Sequence, residues 1–86
     1  MAKYNVLYTE AFYKGLGSIP EKDAKRILQK TRSLAENPRP FGCQKLTGQE
    51  RYRIRQGNYR VIYSIEDDRL IVVVVKVGHR REIYER

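Results

Sequence analysis

Hydrophobic and polar residues alternate along two stretches of this chain, and strict alternation predicts β-strands. The first stretch covers residues 3–8, which are rich in residue types that favour strands. The second covers residues 51–63, where arginines alternate with aromatic and aliphatic side chains on both sides of a turn signal at Gly57-Asn58. Residues 71–75 are apolar at every position, which predicts a strand buried on both faces. The expected strands cover residues 3–8, 50–56, 59–66 and 69–77.

Apolar residues recur at helical spacing between the first expected strand and the second. Thr9 is placed to cap a short helix over residues 10–14, which Gly15 and Gly17 end. A longer amphipathic helix follows and stops at residues 37–40, where two prolines stand. Its apolar stripe is expected to face the core and consists of Ala24, Ile27, Leu28, Thr31, Leu34 and Ala35.

The order of these elements predicts one α+β domain over residues 1–86. The expected architecture is β-α-α-β-β-β, a small, twisted, mainly antiparallel sheet with two helices packed on one face. Short turns at Gly57-Asn58 and Asp67-Asp68 join the last three strands into a meander.

Composition limits the kinds of protein this chain can be. Its 18 basic and 10 acidic side chains leave a formal charge of +8, which favours a polyanionic partner such as nucleic acid, although it also serves solubility in many small domains. The chain shows neither an apolar run long enough to cross a membrane nor a secretory signal, so a cytoplasmic location without membrane contact is expected. The single Cys43 and single His79 predict no internal disulfide and no protein metal site, and no cofactor is expected.

Four arginines and no acidic residue lie between residues 51 and 60, and the predicted hairpin brings three of them together. A two-residue turn sets Arg55 opposite Arg60 and Arg53 opposite Ile62, so the three arginines share one sheet face while the other face receives the helices. Directly opposed like charges destabilise a strand pair. The convergent set therefore indicates a site for an anion such as a phosphate; the alternative is a group of solvated surface arginines.

The last expected strand extends this patch. If residues 67–68 form a two-residue turn, Tyr59 lies opposite Lys76 and Arg60 lies opposite Val75. The segment that then emerges beside the arginines is Gly78-His79-Arg80.

Two side chains near the end of the chain add possible chemistry to the patch. His79 is the only side chain here of a type whose unperturbed pKa lies near neutrality, and surrounding arginines would disfavour its protonated form, leaving an imidazole able to accept a proton. Tyr84 is placed to stack on a base or to donate a proton. The alternative for Tyr84 is a tail aromatic that packs on the domain.

The arginine face also carries apolar side chains that no predicted element covers. An apolar strip beside a basic cleft suggests a partner protein, such as an amphipathic segment supplied in trans. The alternative is that the C-terminal tail folds back over the strip. The strip consists of Ile62, Ile71, Val73 and Val75, with Ser64 among them.

The elements and motifs in this order resemble the RelE family of toxin–antitoxin toxins over essentially the whole chain. The motifs are Lys45-Leu46-Thr47-Gly48, Tyr52-Arg53-Ile54-Arg55, Tyr59-Arg60-Val61-Ile62-Tyr63 and Val77-Gly78-His79-Arg80-Arg81-Glu82-Ile83-Tyr84. The resemblance implies a RelE-like fold and an endoribonuclease that enters the ribosomal A site and cleaves mRNA there. The implied reaction is metal-independent attack of a ribose 2′-OH on the adjacent phosphate.

The resemblance also implies roles for individual residues. Arg60 and Arg80 match arginines of the family and would hold the scissile phosphate, while Tyr84 would stack on or orient the nucleotide. The other basic residues expected to contact RNA are Lys45, Arg51 and Arg81.

The identity of the general base is open. Arg53 and Arg55 stand where some members of the family carry lysines that are credited with proton transfer. An arginine stays protonated near neutral pH and cannot be that base. Either His79 takes the role here, or the site relies on positioning and charge.

The implied partners are a cognate antitoxin, a ribosome with mRNA in its A site, and operator DNA reached only through the antitoxin. Two other functions compete with this one. A ParE-like toxin resembles RelE in fold but inhibits DNA gyrase, and the intact arginine cluster places that reading second. A basic RNA-binding or ribosome-binding module without catalysis is the third.

Overall fold

The computed structural model describes residues 3–46, 48 and 50–81, which form an α+β fold with two α-helices and a five-stranded sheet. The strands are Asn5–Tyr8 (β1), Gln44–Lys45 (β2), Arg51–Gln56 (β3), Tyr59–Glu66 (β4) and Ile71–His79 (β5). The helices are Glu10–Gly17 (α1) and Glu21–Arg32 (α2), and a 3-10 turn, Ser33–Ala35, follows α2. The element order predicted from the sequence is confirmed, with β2 added to it.

The strands lie in the order β1-β5-β4-β3-β2. β1 runs parallel to β5, and each other neighbouring pair is antiparallel. A parallel pair needs a long crossover connection, and the two helices lie within the chain that separates β1 from the rest of the sheet. The last strand, β5, is therefore an interior strand.

The helices cover one face of the sheet and form the main core with it. Phe12 from α1 and Ile27 from α2 are fully buried with Val61, Tyr63 and Val74 of the sheet. The apolar stripe predicted for α2 is confirmed at its centre, because Ile27, Thr31 and Leu34 have no exposed area. In the described part of the chain, no helix has the length and apolar character needed to cross a membrane.

Two expectations about strands were wrong in detail. β2 was not predicted, because two residues are too few to show an alternating pattern. Residues 71–75 were expected to be buried on both faces, yet only Val72 and Val74 are fully buried, while Ile71 and Val73 keep partial exposure. The sheet face opposite the helices has no second layer among the described residues, which explains that exposure.

A polar cluster fastens the β4–β5 connection to the rest of the domain. The Arg39 guanidinium donates two hydrogen bonds to the Asp67 carboxylate, at 3.1 and 2.8 Å, and the Tyr4 hydroxyl donates a third at 2.7 Å. The same guanidinium lies 5.4 Å from the centre of the Tyr52 ring. Because these donors favour the ionised carboxylate, Arg39 first and Tyr4 second, they lower the pKa of Asp67 to about 2.

We expect stability to fall as the pH drops from about 4 towards 2, with Asp67 contributing to that loss. The folded-state pKa lies below the ordinary value of 3.8, so this contribution is present above that value and is lost as the carboxylate is protonated through its folded pKa. An Asp67→Asn variant should show a shallower pH dependence of the urea midpoint in this window. Asp68→Asn is the matched control, because the Asp68 side chain makes no hydrogen bond or ion pair in the described part of the chain. Equal acid sensitivity of Asp67→Asn and the unmodified protein would contradict the assignment.

Candidate functional site

Three arginines lie side by side on the sheet face that the helices leave open. The two-residue turn at Gly57-Asn58 joins β3 to β4 and sets Arg55 opposite Arg60, as predicted. Gly57 has a φ of 62°, the left-handed conformation that such hairpin turns require. Directly opposed residues have Cβ atoms about 4.5–5.5 Å apart, so two guanidinium groups are anchored within reach of one anion.

Arg53 forms the inner part of this cluster. Its side chain is 7% exposed, and its guanidinium donates a hydrogen bond to the Gln44 side-chain oxygen on β2, which pairs with it across the strands. Burial, followed by the charges of Arg60 and Arg55, lowers the pKa of Arg53. An arginine with a lowered pKa still remains a cation near neutral pH. Burial and the neighbouring charges therefore disfavour the cationic form of Arg53, and a bound anion would favour it.

The register of β5 against β4 differs from the prediction. The observed pairs are Tyr59–His79 and Arg60–Gly78, in place of Tyr59–Lys76 and Arg60–Val75. One cause is the connection between the strands, which spans residues 67–70 and not residues 67–68. Leu70 at its end has a φ of 54°, a left-handed conformation unusual for a branched side chain.

The second cause is a β-bulge in β5. Ile62 pairs with Lys76 while the next residue, Tyr63, pairs with Val74, so Val75 is left as the extra residue. Its carbonyl accepts a hydrogen bond from the Thr9 hydroxyl, the same hydroxyl that caps α1 by accepting from a backbone N–H. After the bulge, each β5 residue therefore lies on the opposite sheet face from the one that regular alternation predicts.

The bulge brings Lys76 onto the arginine face, where sequence reasoning had not placed it as a site residue. Lys76 lies opposite Ile62, which itself lies opposite Arg53. Its side chain is exposed and has no ion-pair partner in the described structure. The sequence feature that could have identified Lys76 as a site residue is its charge, because Lys76 interrupts an otherwise apolar stretch from Ile71 through Val77.

His79 lies on the other side of the sheet from its expected position. Its ring meets the Tyr59 ring edge-on, with centroids 5.7 Å apart, and Tyr59 packs against the core on the helix face. The His79 Nδ1 accepts a hydrogen bond from the Arg81 backbone N–H at 3.3 Å. Gly78, and not His79, is the residue beside Arg60, so the predicted placement of the imidazole in the arginine cluster was wrong.

The arginines predicted near this cluster occupy its borders. Arg51 is exposed at the start of β3, opposite Ser64. Arg80 is exposed just after β5, and its N–H donates to the Asn58 carbonyl at 2.8 Å, which keeps the chain beside the β3–β4 turn. Arg81 follows it and is also exposed.

One predicted site residue among those that the structure describes, Lys45, is not brought into the cluster. Lys45 pairs opposite Tyr52, a residue that contacts the main core, and its ammonium group forms an ion pair with Glu50 at 3.4 Å. Tyr84 lies outside the described residues.

The apolar strip on this face is narrower than expected. Ile62 is only 1% exposed, because Leu46 packs against it in a second small cluster. Leu7 of β1 was not expected in the strip, yet it is 51% exposed and pairs with Val73. The exposed apolar surface therefore lies toward the β1 edge of the sheet, away from Arg55.

The residue types on this face suit a phosphate ligand. Guanidinium groups form paired, charge-assisted hydrogen bonds with phosphate oxygens. Glu50, just before β3, pairs with Lys45, and Glu66, the last residue of β4, pairs with Arg69, each at 3.4 Å. Both carboxylates are therefore paired outside the cluster.

Comparison with known proteins decides the family. A sequence model described as the ParE toxin of the type II toxin–antitoxin system parDE matches residues 6–84. The putative toxin RelE1 of Methanocaldococcus jannaschii is 30% identical over 87 aligned positions, which cover 96% of this chain and 97% of the relative. This chain belongs to the RelE/ParE family of toxins. It is thus a toxin of a type II toxin–antitoxin system.

The RelE/ParE assignment agrees with two further likenesses. Toxin RelG of Mycobacterium tuberculosis is 29% identical and covers 96% of this chain and 98% of its own length. A chain in the crystal structure of the archaeal RelE–RelB complex from Pyrococcus horikoshii superposes with a TM-score of 0.82 at 31% identity, covering 94% of this toxin and 99% of that chain. The RelE-like α+β fold predicted for the toxin is confirmed.

Proposed function

We propose that this toxin is a ribosome-dependent endoribonuclease that cleaves mRNA in the A site. The observation that carries the proposal is the open-face cluster of Arg53, Arg55 and Arg60, set in register by β3 and β4. Opposed like charges cost stability, and an RNA phosphate would relieve that cost. Two relatives with similarity along nearly their whole length bear the name RelE or RelG, which supports the same class of toxin.

The proposed reaction is an internal transfer within the RNA. The 2′ oxygen of one ribose bonds to the adjacent phosphorus, and the bond from that phosphorus to the next 5′ oxygen breaks. The 2′-OH gives up its proton, the departing 5′ oxygen takes one, and the products are a 2′,3′-cyclic phosphate and a free 5′-OH. Negative charge grows on the phosphorane oxygens, where preorganised cations stabilise the transition state.

The three arginines of the cluster differ in burial, and their proposed roles differ accordingly. Arg55 is exposed and Arg60 half-buried, in direct opposition, so both are suited to contact the phosphate. Arg53 is buried and acts from beneath as a positioning residue and a source of charge. Arg80, beside the turn, is proposed as a further phosphate contact, and Tyr84 keeps its proposed role of orienting the nucleotide.

The arrangement around His79 favours catalysis by positioning and charge. Its ring lies against Tyr59, on the face away from Arg60, and its Nδ1 is occupied by the Arg81 N–H. A neutral imidazole in that bond carries its proton on Nε2, so its remaining lone pair is already in use. We therefore assign the 2′-OH proton to solvent water, and the base role of His79 stays a prediction that substitution can test.

A cognate antitoxin is the proposed protein partner. Leu7 is half exposed beside Val73, which leaves apolar surface on the same sheet face as the cationic cluster, toward the β1 edge. An antitoxin segment with apolar and acidic side chains would cover both, and a RelE–RelB complex is the form in which the archaeal relative was crystallised. Operator DNA is proposed to bind only through the antitoxin.

Inhibition of DNA gyrase is the second candidate. The family description that matches residues 6–84 is that of a ParE toxin, and this observation favours it. The two candidates separate cleanly in an assay of DNA supercoiling by purified gyrase. If the toxin inhibits gyrase in this assay and cleaves no mRNA, gyrase inhibition replaces mRNA cleavage as the proposed function.

Adding the toxin to ribosomes that hold a defined mRNA is expected to produce new 5′ ends in the A-site codon. Each new end should carry a free hydroxyl, detectable because a polynucleotide kinase labels it without prior dephosphorylation. Primer extension locates the ends. An mRNA with a 2′-deoxy nucleotide at the cleaved position is the matched control and should stay intact, because it lacks the nucleophile. Ribosome binding without any new 5′ end would support a non-catalytic binding module instead.

A further inference from the structure

Phe41 is an aromatic residue fully exposed to solvent. It lies in the connection between α2 and β2, next to Gly42, whose φ of 93° turns the chain there. Single exposed apolar residues are common on protein surfaces. The surroundings of Phe41 must therefore decide whether it has a function.

Phe41 lines a groove of about 320 Å³ that is otherwise polar and cationic. Lys30 of α2 and Arg55 of β3 contribute the charges, and Gln44 of β2 contributes an amide. Ile54 adds little apolar surface, because it is 2% exposed. No acidic side chain is among the described residues that line the groove. The groove volume lies near the lower end of the range for small-ligand sites, about 300–1,000 Å³.

The groove shares Arg55 with the arginine cluster and lies at the β2 side of the sheet, where it also includes Lys30 of α2. Arg55 belongs to both, since it lines the groove and lies opposite Arg60. Gln44 connects them as well, because its side-chain oxygen accepts the hydrogen bond from Arg53. That bond fixes the amide and leaves its NH2 group to donate to a ligand. A molecule with a phosphate on the arginines would extend naturally into the groove.

We infer that this groove is a nucleotide subsite in which Phe41 stacks on an RNA base next to the phosphate held by Arg55 and Arg60. The inference rests on the proposed function, in which single-stranded RNA is the substrate. Proteins bind unpaired bases by stacking them on aromatic rings beside cations that hold the backbone. Phe41 supplies the ring, Lys30 and Arg55 supply the cations, and the Gln44 amide supplies a donor for a base edge.

The chemistry of the groove fits a nucleotide better than a protein segment. An amphipathic helix or strand binds through several neighbouring apolar pockets. Here one aromatic ring stands among two cations and an amide, and the exposed apolar surface around Leu7 lies at the β1 edge, at the far end of the sheet order from β2. A base with its phosphate matches both the ring and the charges.

A tryptophan at position 41 reports on stacking directly, because the chain contains no tryptophan. The probe is a short single-stranded 2′-O-methyl RNA, which cannot be cleaved through its 2′ oxygen. We expect this RNA to quench the fluorescence of Phe41→Trp. Inorganic polyphosphate, which has charge but no bases, should compete for the arginines without quenching. Tyr13→Trp, at an exposed aromatic position on α1, is the matched control and should not be quenched by the RNA.

Affinity for the same RNA gives a second readout. Phe41→Ala should weaken binding about tenfold, while Phe41→Tyr, which keeps the ring, should restore it. Quenching at position 41 in a toxin that cleaves no mRNA would support the subsite while refuting the proposed function. Absence of quenching, or equal quenching by polyphosphate, would overturn the subsite even if cleavage occurs. Unchanged RNA affinity together with weaker antitoxin binding in Phe41→Ala would assign the surface to the antitoxin and overturn the inference as well.

Discussion

Replacing Arg60 with alanine is expected to slow cleavage of ribosome-bound mRNA by about 10²–10³-fold. Arg60 lies at the centre of the open face, between Arg55 on β3 and Gly78 on β5. Because Gly78 has no side chain, no β5 side chain stands directly opposite the guanidinium. Removal of one preorganised cation raises the barrier where charge develops in the transition state, and binding should weaken far less.

The measurement is the single-turnover rate on programmed ribosomes, with ribosome binding measured separately. Arg26→Ala is the matched control, because Arg26 is an exposed arginine on α2, on the helix side of the sheet. It removes the same charge from the protein but not from the site. Equal losses in the two variants would show that total charge, and not the geometry of the cluster, determines the rate.

The same assay distinguishes the two proposals for the base. If the site acts by positioning and charge, His79→Ala should retain most of the single-turnover rate, since its ring lies against Tyr59 on the helix face. A loss as large as that of Arg60→Ala, with a changed shape of the pH–rate profile, would restore His79 as the base.

Replacing Gly15 with alanine is expected to destabilise the fold by about 1–3 kcal/mol, a large fraction of the stability of a small domain. Gly15 lies where α1 crosses β5, and a Cβ there would meet the Val77 carbonyl oxygen at 2.5 Å. That contact is with backbone, which yields less readily than a flexible side chain. The gain in helix propensity, about 1 kcal/mol, is too small to compensate.

Gly17→Ala is the matched control for this substitution. Gly17 ends the same helix, but a Cβ there would meet nothing within 4 Å. Urea denaturation followed by circular dichroism should therefore show a lower midpoint for Gly15→Ala and an unchanged or slightly higher one for Gly17→Ala. Because Val77 directly precedes Gly78, Gly15→Ala should also disturb the face beside Arg60. A midpoint for Gly15→Ala equal to that of Gly17→Ala would refute the close approach.

The arginine cluster was predictable because its register depends on local sequence. Gly57-Asn58 allows a two-residue turn, and such a turn permits only one pairing of the strands on either side. Alternation then assigns each arginine to a face. This is why the pairing of Arg55 with Arg60 could be derived before the structure and agrees with it.

The position of β5 was not predictable in the same way. Its register depends on a four-residue connection and on the bulge at Val75, whose carbonyl is bonded by Thr9, a residue distant in sequence. Local sequence patterns do not reveal a contact between residues so far apart in the chain. One extra residue in a strand exchanges its faces, and this exchange placed Lys76 in the cluster and His79 outside it.

The sequence by itself determined the element order, the faces of β3 and β4, and the concentration of arginines on one of them, because alternation and a tight turn act between near neighbours. Only the tertiary structure decided which parts of β5, β1 and the connection before β2 meet that face. Those contacts join residues far apart in the chain, and they depend on how α1 packs, on the bulge and on the short β2 strand. The position of His79 and the groove beside Phe41 both belong to this second group.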